Sequence, residues 1–370
     1  MKNVKEVLKW KSSGSPNQLI SNGKLISKPQ ELAEAQNEYF LNKIDVIRRN
    51  LPPPFHDPLQ TLKKVLNGKT CRFSLSSVHP SEVEKVLSNL SNSGSFGLDL
   101  IDTYIVKLIK TEILPALTHI INLSISTKKF PNSWKKAKII PLHKKEDLLN
   151  PKNYRLVELV PVISKVMERV IFNQMYQYLN DNSLIHPNHH AYRANHNTTT
   201  ALLQMYDVWL EALENDEVAA VCFLDMSAAF DIVDHTILIQ KLEIYGFDSG
   251  MLKWISSYLE DRYQCVSIDG CLSRLELVQH GVPQGSILGP LLHILFTNEL
   301  PEVVHSHCTA GGKIREQIWP KYTMVCSGCG SIGCYADDTT YSFSGSDTSV
   351  ISENMTAKYK IRFKILFKIS

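Results

Sequence analysis

Three aspartates at the ends of apolar runs are the residues of this chain best suited to metal chemistry. Asp225 ends the apolar run 218–224, and the adjacent pair Asp337 and Asp338 stands in a turn predicted between two short strands. Close carboxylates repel one another unless a cation neutralises them. Mg²⁺ takes such hard oxygen ligands, and two divalent ions roughly 3.5 to 4 Å apart neutralise the charge that develops in nucleotidyl transfer. The three aspartates therefore predict a site for two Mg²⁺ ions.

A glycine-interrupted segment stands between these aspartates in the sequence. Residues 281–290 are Gly-Val-Pro-Gln-Gly-Ser-Ile-Leu-Gly-Pro, and they precede a helix predicted from Leu291 to about Leu300. Glycines let another backbone or a base approach closely. An Asp-Asp turn taken alone is more often structural than catalytic. The order of a strand-terminal aspartate, a glycine loop and an aspartate pair favours catalysis.

The formal net charge of the whole chain is only +3, so any strongly basic surface must be local. Positive charge is concentrated in one stretch of the sequence. No acidic residue interrupts the lysines between residues 128 and 145, which are Lys128, Lys129, Lys135, Lys136, Lys138, Lys144 and Lys145. Taken alone, the run is equally typical of a solvated charged face and of a phosphate-binding surface.

Apolar periodicity predicts the elements that position these residues. Helical spacing is found at 101–125, 201–213, 235–245 and 251–261, and after Pro80, where Ser81 and Glu84 suggest a capping box. Short apolar runs predict strands at 137–142, 218–224, 264–268, 275–279, 332–336 and 339–343, with Asp269 and Gly270 starting a turn. Residues 1 to about 70 are interpreted as a linker region. Alternating helices and strands favour an α/β or α+β fold.

Composition and the N-terminus restrict the class of protein. The eight cysteines are widely spaced, unlike the framework of a small secreted domain, and they favour a reducing compartment. Residues 1–11 are charged, and no run approaches the roughly 18 apolar residues of a membrane span. The sequence therefore predicts an intracellular protein of the nucleus or cytoplasm with no membrane partner.

Three segments in order resemble a known family of polymerases. They are Phe-Leu-Asp-Met-Ser-Ala-Ala-Phe-Asp at 223–231, Gly-Val-Pro-Gln-Gly at 281–285 and Tyr-Ala-Asp-Asp at 335–338. Together they are similar to the palm motifs of reverse transcriptases from non-long-terminal-repeat retrotransposons, of the LINE type and jockey-like. The resemblance runs from about residue 94 to 360.

The resemblance implies an α+β fold of the right-hand polymerase type, with an antiparallel palm sheet and packed helices. Residues 1–93 would be an N-terminal extension, 94–200 the fingers and 201–370 the palm, with an insertion at about 304–330 and no thumb. The implied activity is RNA-directed DNA synthesis, with an RNA template, a DNA primer, deoxynucleoside triphosphates and two Mg²⁺ ions. Because the chain stops before the thumb, an inactive remnant that only binds nucleic acid is the alternative.

The resemblance also assigns roles to the acidic motifs. It implies that Asp225 and Asp337 are metal ligands and that Asp338 is a ligand or a close support. Phe230 would lie under the incoming sugar and exclude a 2′-hydroxyl by steric clash. An ordinary core phenylalanine is the alternative for that residue.

Contacts to the nucleotide are implied at four further positions. Gln284 and Gly285 match residues that contact the nucleotide and permit close approach, although Gln284 is equally consistent with a surface amide. Arg155 would bind the triphosphate through its planar guanidinium, with Lys144 adding a point charge. Glu158 departs from the family pattern, and its carboxylate is expected to compete for Arg155.

The insertion suggests a second metal site. Cys326 and Cys329 form a Cys-x-x-Cys knuckle, and His305 and Cys308 precede it. Such a set has plausible spacing for one structural Zn²⁺. A loop with free thiols is the alternative, and a small zinc-containing interaction protein is a rival to the polymerase hypothesis.

Overall fold

The computed structural model describes residues 14–51, 57–66, 71–144, 146–215, 218–226, 228–301, 331–335, 338–345 and 363–365. Its α-helices are α1 (Pro29–Arg49), α2 (Pro58–Leu66), α3 (Pro80–Ser88), α4 (Thr103–Leu108), α5 (Lys110–Thr127), α6 (Val162–Asp181), α7 (Thr198–Glu214), α8 (His235–Ile244), α9 (Ser249–Leu259) and α10 (Leu288–Thr297). Within these residues no helix is both long and apolar enough to cross a membrane.

The strands form two larger sheets and one hairpin. They are β1 (Leu19–Ser21), β2 (Lys24–Ile26), β3 (Lys136–His143), β4 (Tyr154–Leu159), β5 (Val218–Asp225), β6 (Arg262–Ile268), β7 (Cys271–Leu272), β8 (Glu276–Val278), β9 (Ser331–Tyr335), β10 (Asp338–Gly345) and β11 (Phe363–Ile365). This mixture of helices with largely antiparallel strands confirms an α+β class.

One sheet has five strands in the order β4-β3-β6-β7, with β8 also paired to β6. The β3 and β4 strands are an antiparallel hairpin, and β6 runs parallel to β3. β3 lies before residue 200 and β6 lies after it. The five-stranded sheet therefore contains strands from both of the predicted ranges, 94–200 and 201–370.

The second sheet has the order β11-β5-β10-β9, and all its pairs are antiparallel. Its centre is the long pairing of β5 with β10, which runs from Val218 opposite Gly345 to Asp225 opposite Asp338. The two short strands predicted around the Asp-Asp turn are confirmed as β9 and β10.

The main core lies among α6, α8, α9 and α10. Trp254 and Tyr258 are four residues apart in α9, so they share one face of the helix and stack with ring centroids 5.8 Å apart. Phe130 packs edge-on against both rings, at 5.7 and 5.0 Å. All three side chains are buried, and each such aromatic pair adds about 0.5–1.5 kcal/mol beyond the burial of its area. This cluster fixes the helix that leads into β6.

Residues 14–51 are not the linker that the sequence predicts. Helix α1 packs on β6 and buries Leu32, Ala33 and Phe40 in a second core cluster, where they meet Ile139 and Val266 of the five-stranded sheet. The buried positions recur at helical spacing and therefore give α1 an apolar stripe. The described part of residues 1–70 is thus an integral layer of the fold.

The structure differs from the sequence prediction at the start of α3 and within residues 101–125. The cap of α3 is His79, whose ring accepts the N–H of Ser81, while Glu82 accepts the N–H of His79 at 2.8 Å. The capping box therefore does not use Glu84. The single helix predicted over 101–125 is two helices, α4 and α5, which meet at Ile109.

Candidate active site

Asp225 and Asp338 lie directly opposite each other in the register of β5 and β10. Paired residues in antiparallel strands have Cα atoms about 4.5–5.5 Å apart. The structure therefore brings two of the three predicted metal ligands together at one end of the four-stranded sheet. Asp337 precedes β10 directly in the sequence and lies outside the described residues.

The chain turns sharply after β5. Ala228 has a left-handed backbone with φ +57°, and its carbonyl accepts the N–H groups of Asp231 at 2.9 Å and Ile232 at 3.1 Å. Arg48 of α1 donates to the Ile232 carbonyl at 2.9 Å and to the Asp234 carboxylate at 2.7 Å. Helix α1 therefore supports the turn that follows Asp225 in the chain.

Asp234 has two roles in this turn. Its carboxylate pairs with Arg48 and accepts the N–H of Ile237, at 3.1 Å, which caps α8. Burial would raise the pKa of Asp234, but the hydrogen bonds from Arg48 and the helix amides outweigh it and hold the pKa below its ordinary value. The Asp234 carboxylate is therefore ionised at neutral pH.

The glycine loop is bonded to the same turn. The N–H of Gly281 donates to the Val233 carbonyl at 2.9 Å, and the N–H of Val282 donates to the Phe230 carbonyl at 2.8 Å. Gly281 has φ +84°, and a Cβ there would lie 2.7 Å from the Asp231 Cα. Only glycine fits this approach, so the loop that follows β8 and the turn after β5 form one unit.

Gln284 extends this contact with its side chain, which donates to the carboxylate of Asp231. Burial raises the pKa of Asp231, while the Gln284 hydrogen bond and the charge of Lys43 oppose the rise. Gln284 is therefore not the free surface amide that the sequence left open. Asp231 is the last residue of the motif at 223–231, but no sequence pattern assigns it this partner.

Gly285 brings the loop against β4. Its φ is +90°, and a Cβ there would lie 2.6 Å from the carbonyl oxygen of Glu158. The Gln284 backbone N–H lies near the Glu158 carboxylate and opposes the rise in its pKa. The structure thus joins three segments that are far apart in sequence, namely β4, the glycine loop and the turn after β5.

Glu158 does not compete for Arg155. Its carboxylate lies 3.9 Å from Arg262, and 13% of its side chain is exposed, whereas Arg155 is exposed on the same strand. Residues three apart in a strand point to opposite faces, which explains why the expected competition is wrong. Burial raises the pKa of Glu158 to about 7, against the opposing effect of the Arg262 charge.

Phe230 packs on His293 of α10. The two rings are stacked, with centroids 4.5 Å apart and planes at 21°. His293 is buried, while Phe230 is only partly buried and packs at the edge of the main core. The imidazole therefore covers one face of the Phe230 ring.

Lys144 and Arg155 lie on the β3–β4 hairpin, and both are exposed. The Lys144 N–H donates to the Asn153 carbonyl at 2.7 Å, and Arg155 is the register partner of Leu142. Arg155 precedes Glu158 by three residues on β4, a spacing of about 10 Å along a strand. Both cations are thus carried by the hairpin that meets the glycine loop.

Carboxylate oxygens are the ligand type that Mg²⁺ prefers, so the residue types at the register pair Asp225 and Asp338 fit such an ion. Among the side chains that the structure describes, no cluster of three or more histidines, cysteines, aspartates or glutamates suited to a metal is present. The predicted zinc ligands His305, Cys308, Cys326 and Cys329 lie outside the described residues.

Comparison with known proteins agrees with the sequence resemblance. A profile of the family described as "Reverse transcriptase (RNA-dependent DNA polymerase)" matches residues 142–363. The chain is 34% identical over 228 residues to the "RNA-directed DNA polymerase from mobile element jockey" of Drosophila melanogaster, which covers 61% of this chain and 25% of that protein. It is 34% identical over 221 residues to the protein of the same name from Drosophila funebris, covering 60% and 24% of the two chains.

A third relative is the "Probable RNA-directed DNA polymerase from transposon BS" of Drosophila melanogaster, 30% identical over 225 residues, which covers 60% of this chain and 25% of that protein. The chain thus spans about a quarter of the length of these relatives. The profile covers more than half of the chain, and the paired aspartates and the glycine loop lie within it. The chain therefore belongs to the reverse transcriptase (RNA-dependent DNA polymerase) family, and its relatives are polymerases of jockey-like retrotransposons.

Proposed function

We propose that this chain carries out RNA-directed DNA synthesis, in which a deoxynucleotide is added to the 3′-hydroxyl of a primer. The observation that carries the proposal is the register position of Asp338 opposite Asp225. The glycine loop supports it, because its backbone bonds to the turn that follows Asp225. In this proposal the carboxylates and a loop that accepts the nucleotide lie at one place, as a polymerase requires.

The two sheets correspond to the parts of a right-hand polymerase in this proposal. The antiparallel sheet of β5, β9, β10 and β11 is the palm, and the β3–β4 hairpin belongs to the fingers. The contact of Gly285 with Glu158 is then a contact between palm and fingers. Helix α1 joins this unit through Arg48.

Asp225, Asp337 and Asp338 hold two Mg²⁺ ions in this proposal. Such ions, when bound, would supply Lewis acidity for the triphosphate and for the attacking 3′-hydroxyl. The three carboxylates would hold them where the 3′-oxygen bonds to the α-phosphorus and pyrophosphate leaves. Because Asp225 ends one strand and Asp338 begins its neighbour, the sheet itself sets their spacing.

The remaining predicted residues bind the nucleotide. Phe230, stacked on His293, lies under the sugar and excludes a 2′-hydroxyl. Gly285 lets the loop pack closely on β4 beside the nucleotide, and Gln284 orients the nucleotide. Arg155 and Lys144 on the hairpin bind the triphosphate, since a planar guanidinium and an ammonium both favour phosphate oxygens.

Primer extension on a primed RNA template with Mg²⁺ and deoxynucleotides tests the proposal. Asp225→Asn keeps the size of the side chain and removes its charge, so extension is expected to vanish. Asp269→Asn is the matched control, because Asp269 lies in the exposed turn after β6 with φ +48°, which asparagine adopts readily. That variant is expected to extend like the wild type.

Failure of the wild-type chain to extend any primer, with salt-sensitive binding of the template retained, would reject polymerase activity for this chain. Extension that survives in Asp225→Asn would reject the proposed metal site. Extension on a primed DNA template but not on RNA would reject the template assignment alone.

A further inference from the structure

Glu168 is a charged residue buried in the middle of α6, and the site described above gives it no role. Its side chain is fully shielded from solvent. Removing a carboxylate from water is costly unless hydrogen-bond donors surround it. The donors around Glu168 therefore indicate which segments of the chain its carboxylate stabilises.

Four donors meet this carboxylate. The Ser164 hydroxyl donates to Oε1 at 2.9 Å, and the Tyr258 hydroxyl donates to Oε2 at 3.2 Å. The backbone N–H groups of Ile287 and Leu288 donate to the same Oε2 at 2.8 and 3.2 Å. Half of the partners of Glu168 are thus amides at the point where the glycine loop becomes α10.

The start of α10 needs such a partner. The first N–H groups of a helix have no acceptor within the helix, and Ile287, the residue before α10, makes no side-chain cap. A negative charge is also favourable at a helix N-terminus. The Ser286 hydroxyl accepts the N–H of Gly289 at 2.9 Å, whereas the N–H groups of Ile287 and Leu288 donate to Glu168, which lies in a helix more than 100 residues earlier.

The glycine loop is consequently held at both ends. Its first end is bonded to the turn after β5 through Gly281 and Val282, and its far end is bonded to Glu168 through Ile287. Gln284 and Gly285 lie between these anchors. Their position depends on both anchors, since a loop released at one end samples more backbone conformations.

We propose that Glu168 is a positioning residue for the incoming nucleotide, because it fixes the start of α10 and so holds Gln284 and Gly285 in the nucleotide-accepting position. The inference rests on the proposed function, since it is the nucleotide site of that reaction that Glu168 positions. Glu168 itself is too deeply buried to touch the substrate.

Glu168→Met tests the proposal, since methionine has a similar volume and no strong acceptor for the two amides. Hydrogen exchange at the amides of Ile287 and Leu288 is expected to become faster by at least about tenfold, because the hydrogen bonds to a charged acceptor are lost. In primer extension, the KM for the deoxynucleotide is expected to rise about tenfold or more, while the Kd for primer and template stays unchanged. Glu168→Gln retains one acceptor oxygen and is expected to recover part of both effects.

Ser164→Ala is the matched control. It removes a hydrogen bond to Oε1 and leaves the contacts of Oε2 with the two amides intact. Its nucleotide KM and amide exchange are expected to match the wild type. If Glu168→Met does not fold, as judged by circular dichroism, Glu168→Asp replaces it, because the shorter side chain keeps the charge but not the reach.

The outcomes separate this inference from the proposed function. Unchanged exchange at Ile287 and Leu288 would overturn the inference whether or not the chain extends primers. Faster exchange with an unchanged nucleotide KM would mean that Glu168 is only a structural cap, and this outcome would also overturn the inference. No extension by the wild type would reject the proposed function first, and with it the nucleotide site that Glu168 is proposed to position.

Discussion

Asp338, the first residue of β10, is the register partner of Asp225, the last residue of β5. The two residues are 113 positions apart in the sequence, yet eight consecutive register pairs, from Val218–Gly345 to Asp225–Asp338, fix them at one end of the sheet. A cation held between them, as we propose, would be shared by two strands, so loss of either carboxylate would disturb the same ion.

The first prediction concerns this sharing. Asp225→Asn and Asp338→Asn are each expected to lower kcat on the order of 10³-fold or more, and the double variant is expected to be no slower than either single variant. The reason is that residues which act as one unit have strongly non-additive effects. Single-turnover primer extension at saturating Mg²⁺ measures the three rates. Independent roles would instead give multiplicative losses in the double variant.

Local patterns predicted much of the sheet that carries Asp225. The apolar run 218–224 and the short strands around the Asp-Asp turn are recognisable because each is continuous along the chain. Contacts between distant segments are not recognisable in this way. Helix α1 was missed because its buried face includes Asn37, which is buried only because Gln264 donates to it at 2.9 Å and it donates to the Arg274 carbonyl at 3.1 Å. A polar residue satisfied by a tertiary hydrogen bond cannot be distinguished in sequence from a solvated one.

Glu158 and Glu168 show the same limit at the candidate site. Both are charged residues in amphipathic elements, and sequence alone suggests a solvent-facing position for each. Their burial follows from partners contributed by β6, α9 and the glycine loop. By contrast, Gly281 and Gly285 were predicted to permit close approach, and the structure shows the backbones that they approach.

The second prediction compares two glycines with the same type of backbone. Gly285 and Gly270 have φ of +90° and +81°, but a Cβ at Gly285 would lie 2.6 Å from the Glu158 carbonyl, whereas a Cβ at Gly270 meets nothing within 4 Å. Gly270→Ala is expected to lower the free energy of unfolding by about 1–2 kcal/mol, the cost of a left-handed alanine, and to keep the wild-type nucleotide KM.

Gly285→Ala has the same conformational cost. In addition, its Cβ is expected to displace the loop from β4. Its nucleotide KM should therefore rise, and urea unfolding should show a larger loss of stability than in Gly270→Ala. Equal nucleotide KM values for the two variants would contradict the close packing of the loop on β4.

The third prediction concerns the pH dependence of stability at Glu158. Burial raises its pKa in the folded protein to about 7, above the ordinary value of 4.5. The stabilising contribution of the protonated carboxyl is therefore fully present below pH 4.5 and is lost as pH rises through 7. Between pH 5 and 8 this group lowers the free energy of unfolding of the wild type by about 2.5 kcal/mol.

Glu158→Gln has no proton to lose. Between pH 5 and 8 the free energy of unfolding of this variant should therefore rise, relative to that of the wild type, by a similar amount. Urea unfolding at pH 5, 6, 7 and 8 measures the difference. Glu38→Gln, at an exposed position in α1, is the control and should show no such trend. A pH-independent difference at Glu158 would show that the folded protein leaves its pKa unchanged.

The fourth prediction concerns a buried ion pair that holds α8 to the end of α10. Lys241 contacts the Glu299 carboxylate, and it also donates to the Phe296 carbonyl. The exposed fractions of the two side chains are 2% and 9%. Burial lowers the pKa of Lys241 and raises that of Glu299, and in each case the charge of the partner opposes the shift.

Lys241→Met is expected to lower the free energy of unfolding by about 3–5 kcal/mol, because it leaves a buried carboxylate without its cation. The double variant Lys241→Met with Glu299→Leu removes both charges and should recover most of that loss, since an apolar pair of similar volume needs no desolvation of charge. Urea unfolding of the two single variants and the double variant measures the coupling. If the double variant is as unstable as Lys241→Met alone, the stability comes from the Phe296 hydrogen bond rather than from pairing of the charges.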